Sequence, residues 1–255
     1  MPTDPAHALL PPPPVHLLDG ASLFIDFDGT LVDLVARPDL VVVDEVLRDL
    51  LSSLAKLLQG RLAIVTGRSI EQIDAFLGDL ARTITVAGSH GVEWRTADGK
   101  LHTPTELPDI EPALEALRQF AASRSGTIVE PKRYGIALHY RLAPHVEEEA
   151  RAVVQRLANE FGFGTQMGKM MAEMKIVGGD KGQAVAALRA EPSMAASAPW
   201  FIGDDITDEA GFVMAKDLGG GGIFVGVPRE TAATYRLADV ASVRAWLTEA
   251  ITRLA

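Results

Sequence analysis

The reading of the whole chain turns on one stretch, Leu23-Phe24-Ile25-Asp26-Phe27-Asp28-Gly29-Thr30-Leu31. Its short apolar start is bounded by acids and a glycine, so Leu23 to Phe27 reads as a buried strand ending in carboxylates. Working outward, Asp44 opens a helix with Val46, Leu47, Leu50, Leu51, Leu54, Leu57 and Leu58 on one face, and Gly60 closes it. Leu62 to Val65 is a second strand, ending in Thr66-Gly67-Arg68. A third, Thr83 to Ala87, ends in Gly88-Ser89-His90-Gly91. The same rhythm returns late in the chain. A helix starts at Asp180, a strand at Trp200 to Gly203 ends in Asp204-Asp205, and a helix follows Ile206. A strand at Gly222 to Val227 and a helix from about Ala241 complete it. Short apolar runs alternating with amphipathic stretches predict an α/β fold with a parallel sheet.

Composition breaks at Thr103-Pro104-Thr105-Glu106-Leu107-Pro108, which reads as a linker. Beyond it come a helix around Pro112 to Ser123, strands at Thr127 to Lys132 and Tyr134 to Arg141, and a helix from Pro144 to Phe161. Strands near Thr165 and at Met171 to Ile176 follow. The expected organisation is a core of residues 19–106 and 176–255 with a smaller α/β unit, 107–175, inserted in it. Residues 1–18, with Pro11 to Pro14 and no Lys or Arg, read as a flexible proline-rich tail.

The 255 residues are 47% hydrophobic and 23% charged, with 24 basic against 34 acidic side chains and a formal charge of −10. A protein that coats nucleic acid or an anionic membrane needs a basic excess, so neither partner is expected. No cysteine is present, which removes disulfides, thiolate zinc sites and thiol nucleophiles. No apolar run approaches the ~20 residues of a membrane helix. A cytoplasmic monomer is the default expectation.

Asp26 and Asp28, Thr66, and Asp204 and Asp205 stand at the carboxyl ends of apolar strands. In an open parallel sheet those ends form one ligand-binding edge. Singly, each has a plainer reading: an Asp after a strand forms turns or caps helices, and Thr66 could cap the helix that follows it. Several carboxylates in one pocket would repel each other unless a hard divalent cation intervened, and Mg²⁺ suits oxygen ligands and phosphate oxygens. Lys181 follows Asp180, which can cap a helix with Gln183 completing a capping box. That puts an ammonium at a helix amino terminus, a seat for a phosphate dianion. Alone, it would read as a solvated surface lysine.

Asp26-Phe27-Asp28-Gly29-Thr30-Leu31, Thr66, Lys181 and Gly203-Asp204-Asp205-Ile206-Thr207-Asp208-Glu209 resemble, in order, the four motifs of the haloacid dehalogenase superfamily. The long last motif, Ser89-His90-Gly91 and the insert between Thr66 and Lys181 resemble the trehalose-6-phosphate phosphatase family. The resemblance runs from Ala21 to the end. It implies a Rossmann-like core with an α/β cap inserted between the second and third motifs, and a Mg²⁺-dependent phosphatase acting on a sugar phosphate. By that resemblance Asp26 is the nucleophile, Asp28 the general acid and base, and Thr66 and Lys181 the phosphoryl-holding residues. The metal would be held by the Asp26 carboxylate, the Asp28 backbone carbonyl and Asp204. Asp205 and Asp208 would support it from behind, or Asp208 would merely cap the next helix. Arg68 and His90 belong near the mouth of the site by their places in the motifs, and a packing or capping role suits His90 equally.

In the insert, period-two spacing puts Glu130 with Lys132, His139 with Arg141, and Glu173 with Lys175 on shared strand faces. Tyr134, Ile136, Leu138 and Tyr140 fall on the opposite, apolar face, and Pro131 demands edge or bulged geometry. The resemblance makes Glu130, Lys132 and Glu173 the sugar-hydroxyl ligands, and Arg141, spaced two from His139, is a further expected substrate-binding residue. Lys175 reads as solvated. Trehalose 6-phosphate is the expected substrate. The alternatives are another sugar phosphate of sucrose or glucosylglycerate type, a phosphomutase, and a silent sugar-phosphate sensor.

Overall fold

The computed structural model describes residues 10–35, 40–168 and 170–254. In chain order, β1 (Ser22–Ile25), α1 (Glu45–Leu58), β2 (Leu62–Val65), α2 (Ile70–Leu77) and β3 (Thr85–Gly88) precede two short strands, β4 (Glu93–Arg95) and β5 (Leu101–His102). Next come α3 (Glu111–Ala122), β6 (Ile128–Lys132), β7 (Gly135–His139), α4 (Glu147–Phe161), β8 (Gly164–Gly168) and β9 (Met171–Lys175). The chain closes with α5 (Lys181–Arg189), β10 (Pro199–Gly203), α6 (Glu209–Asp217), β11 (Gly221–Val225), β12 (Tyr235–Leu237) and α7 (Val240–Leu254). Residues 104–178 form one compact unit and the flanking segments the other.

The larger unit is built on an eight-stranded sheet ordered β12-β11-β10-β1-β2-β3-β4-β5. Its strands are parallel from β12 to β3, and β4 and β5 run antiparallel at the end. All four residues of β1 are buried, as a strand covered by helices on both faces requires. Leu23 and Ile25 face a core that includes Leu47, Leu51 and Leu54 of α1 and Leu247 of α7. Phe24, between them, faces Val185 and Leu188 of α5 and Phe212 of α6. The order of connection reverses between β1 and β10. Such a reversal opens a crevice at the carboxyl ends of the two strands.

Several local expectations are met differently. Asp44 caps α1 by accepting from Leu47 N, but Gln59, not Gly60, takes the left-handed position that ends the helix, and Val46 points to solvent at 70% exposure. Thr66 caps nothing. Ser69 caps α2 in a capping box with Gln72. Gln183 donates to the Asp180 carboxylate and makes no capping box.

The tail expectation is corrected over residues 10–18. Leu10 packs on the Phe201–Phe212 core, Leu18 is fully buried, and the Pro11 carbonyl accepts from Arg236 N on β12. Prolines cannot donate to a sheet, so this segment lies against its edge without extending it far. Residues 1–9 of the expected tail lie outside the described residues.

In the smaller unit four antiparallel strands, in the order β6-β7-β9-β8, form their own sheet. Ile136, Leu138, Ala172 and Met174 are buried on one face, which alternation along β7 and β9 requires. Pro131 sits in β6, an edge strand.

Candidate active site

The loop after β1 carries the first carboxylates. Asp26 N donates to Ile202 O of β10, and the chain then turns tightly, with Gly29 N donating to Val32 O. Gly29 has φ +84°, which glycine adopts cheaply, and a Cβ there would lie 2.2 Å from Asp204 Oδ2. The missing side chain is therefore what lets the β1 loop and the Asp204 carboxylate share one place. A Cβ at Gly203 would likewise lie 2.2 Å from Asp208 Cγ.

Lys181, at the first turn of α5, is 3% exposed, so the solvated reading fails. Its Nζ donates to Asp26 Oδ1 at 2.6 Å and to Asp208 Oδ1 at 2.5 Å. Burial pushes this ammonium down, but the Asp208 and Asp26 carboxylates outweigh it and hold Lys181 above its ordinary value.

Asp26, Asp204 and Asp208 each offer a carboxylate oxygen within 4.8 Å of the others, a grouping able to hold a metal ion. Burial raises Asp26 well above the ordinary carboxylate value, Lys181 opposes this, and Asp208 and Asp204 add to it. Burial, Asp208 and Asp205 raise Asp204 to about 7. Asp204 Oδ1 is buried with no hydrogen-bond partner. An orphaned oxygen beside mutually repelling carboxylates is the environment a hard divalent cation satisfies, so these residues fit one.

Two further acids follow Asp204 in the same loop. Asp208 is fully buried within the cluster, where Oδ1 meets Lys181 and Oδ2 accepts from Asp205 N. It is not a mere helix cap. Asp205 is exposed and stands outside the three-carboxylate grouping, and its carboxylate accepts from Ile206 N.

Arg68 lies beside Asp28. Its Nε and Nη2 grip Asp28 Oδ2 and Oδ1, both at 2.6 Å, and its guanidinium lies 4.8 Å from the Phe76 ring centre. Thr66, buried at the end of β2, accepts from Arg68 N through Oγ1. His90 has φ 58°, donates its N–H to Thr66 O, and packs its ring over Gly67. The Ser89-His90-Gly91 turn thus supports the Thr66-Gly67-Arg68 turn, the packing role considered for it.

In the smaller unit, register places Glu130, Ala137, Glu173 and Gln166 in one row, with Lys132, Gly135 and Lys175 in the next row of the same face. Lys132 Nζ donates to Glu173 Oε2 at 2.8 Å, and His139 Nε2 lies 2.7 Å from Glu130 Oε2. Glu173 is buried, and Lys175 is half-buried instead of solvated. Arg141 lies in an exposed turn after β7, off the strand face expected to pair it with His139. The residues that sequence reasoning passed over are His139 as the partner of Glu130, and Arg229, described below. Period two places His139 on this face, but its partner depends on which strand lies beside it.

The architecture and the carboxylate cluster at the β1/β10 reversal define a haloacid dehalogenase-like hydrolase fold. The trehalose-phosphatase family model matches residues 24–241. A probable trehalose-phosphate phosphatase of Sinorhizobium fredii is 39% identical over 213 residues, covering 83% of this chain and 80% of that one. The trehalose-6-phosphate phosphatase of Escherichia coli K12 is 37% identical over 234 residues, covering 91% and 86%. A solved trehalose-6-phosphate phosphatase related protein superposes with a TM-score of 0.76 at 29% identity, covering 91% and 97%. The chain belongs to the trehalose-phosphatase family.

Proposed function

We propose that the protein hydrolyses trehalose 6-phosphate to trehalose and inorganic phosphate through an aspartyl-phosphate intermediate. The observation that carries this is the buried Asp26–Lys181–Asp208 arrangement beside an unpartnered Asp204 oxygen, at the strand ends where the family's motifs meet. Lys181 fixes Asp26 Oδ1 and sets the nucleophile's orientation. Asp26 attacks phosphorus, the bond to the sugar oxygen breaks, and Asp28 supplies the proton that oxygen takes up. Asp28 then removes a proton from the water that attacks phosphorus, phosphate leaves, and Asp26 is restored. Thr66 and Lys181 hold phosphoryl oxygens. To move a proton, Asp28 gives up one of its two bonds to Arg68, which holds it ready between turnovers.

Mg²⁺ is the cation we assign to Asp26, Asp204 and the Asp28 backbone carbonyl, with Asp208 and Asp205 supporting. When bound it supplies positive charge that offsets the repulsion between carboxylates and phosphate. Glu130, Lys132 and Glu173 are the residues we assign to sugar hydroxyls, and we propose that unit 104–178 is the cap that selects the substrate. The decisive experiment measures phosphate released from trehalose 6-phosphate with Mg²⁺ and with excess chelator, beside Asp26→Asn. Release only with Mg²⁺ and intact Asp26 is expected. Release in chelator, or by Asp26→Asn at the wild-type rate, would refute the mechanism.

A further inference from the structure

The loop between β11 and β12 carries no residue of the catalytic assignment, yet it is fastened to the loop that holds the carboxylate cluster. Arg229 Nη1 donates to Glu209 Oε1 at 2.5 Å, and Nη2 donates to the backbone carbonyl of Asp205 at 3.0 Å. The guanidinium lies 4.4 Å from the centre of the Phe224 ring at the end of β11, a face that orients it. Glu209 completes the tie, because its Oε2 accepts from Ala232 N at 2.8 Å. One arginine and one glutamate therefore join the loops that leave β10 and β11.

The position of this tie is what gives it a consequence. The Asp205 N–H is held by Asp208 Oδ2 at 2.9 Å, and its carbonyl is held by Arg229. The peptides on both sides of Asp205 are thus fixed from opposite directions, immediately after Asp204. Asp204 and Asp208 lie on either side of this clamped residue and belong to the cluster with Asp26. Without the clamp, repulsion among these carboxylates would spread the loop and dissolve the preformed geometry. Outer-shell partners that orient metal ligands have this effect in general.

We infer that Arg229, paired with Glu209, is a positioning residue that preorganises the Asp204–Asp208 loop for divalent-cation binding. Arg229 touches neither the cluster nor the reacting atoms. It acts on Asp204 through the Asp205 peptide. The inference rests on the cation site proposed above, and its test separates the two.

The test uses the full chain and Mg²⁺ as the probe, with two readouts. One is the Mg²⁺ concentration giving half of the rise in melting temperature. The other is the Mg²⁺ concentration giving half-maximal phosphate release from trehalose 6-phosphate. Arg229→Met keeps the aliphatic stem and removes the donors. It is expected to raise both concentrations by ~10- to 100-fold, the usual cost of losing an outer-shell partner, with much of the lost rate recovered at high Mg²⁺. Arg229→Lys should fall between, since it retains charge but cannot reach Glu209 and the carbonyl in the same forked way. If Arg229→Met does not fold, Glu209→Gln tests the same tie and should shift both concentrations in the same direction. Unchanged half-saturation in a folded variant would overturn the inference, as would a lower rate that extra Mg²⁺ cannot restore. A wild-type melting temperature indifferent to Mg²⁺ would overturn the cation site itself, and the positioning role with it.

Discussion

Arg68 shows how much a single side chain's partner changes its meaning. Its place in the second motif suggests contact with substrate, but its Nε and Nη2 both donate to Asp28. Charge-assisted hydrogen bonds are worth ~1.5 to 3 kcal/mol, so Arg68→Ala should lower kcat by roughly ten- to a hundredfold. KM for the sugar phosphate should stay within about threefold of wild type, because ground-state binding is not what Arg68 supplies. Steady-state kinetics decide this, and a raised KM with unaltered kcat would return Arg68 to the substrate. Gly29 makes a second residue-scale test. Its Cβ would collide with Asp204, so Gly29→Ala should weaken Mg²⁺ binding by at least about tenfold in a melting-temperature titration, given that ligand placement governs affinity. Asp204 adds a dependence on pH. Its value of about 7 lies above the ordinary 3.8, so in metal-free protein the folded state holds a proton that the unfolded chain releases. That contribution to stability is complete below the ordinary value and is lost as pH rises through about 7. Mg²⁺ needs the ionised form and relieves the repulsion, so the Mg²⁺-induced rise in melting temperature should be larger at about pH 8 than at about pH 6.

At the scale of elements, the feature that matters most is the short end of the main sheet at β12. This strand has three residues, and its Arg236 N–H is taken by the Pro11 carbonyl. Unpaired strand edges invite other chains, and prolines are among the residues that blunt them. Leu10 and Leu18 anchor the covering segment in the apolar core. Removing residues up to Pro14 should therefore lower the melting temperature and increase self-association, measured by size-exclusion chromatography with light scattering. A truncated protein that remained monodisperse and equally stable would show that the proline segment does not protect the edge. Helix α5 illustrates the complementary case, in which an element's end serves chemistry. Asp180 caps it by accepting from Gln183 N, which sets Lys181 in the first turn beside two carboxylates.

For the molecule as a whole, the division of labour between the units is the testable matter. If Glu130 and Glu173 bind sugar hydroxyls, Glu173→Ala should reduce kcat/KM for trehalose 6-phosphate by ~10- to 100-fold, the worth of hydrogen bonds to a charged group. Hydrolysis of a small aryl phosphate by the same preparation should change little, and equal losses on both substrates would exclude a specificity role. Among the described residues no helix is long and apolar enough to cross a membrane, in keeping with the short apolar runs of the chain. The alternation of apolar strands and amphipathic helices was readable from Leu23 onward, because strands covered on both faces must be continuously apolar and core helices must carry a stripe. The carboxylates at strand ends were readable for a related reason: polar groups in such strands are tolerated only where the strand leaves the core. The polar face shared by Glu130 and Lys132 followed from period two alone. Short β4, β5 and β12 were not readable, since two or three residues carry no period. Nor were the partners. Lys181 meets Asp26 across 155 positions, Arg68 meets Asp28 across 40, and Arg229 meets Glu209 between adjacent strand loops. Composition and spacing specify which faces are buried and which residue types stand at an edge. Which charge neutralises which depends on strand order and loop length, and these are settled only when the sheet closes its neighbours around the β1/β10 crevice.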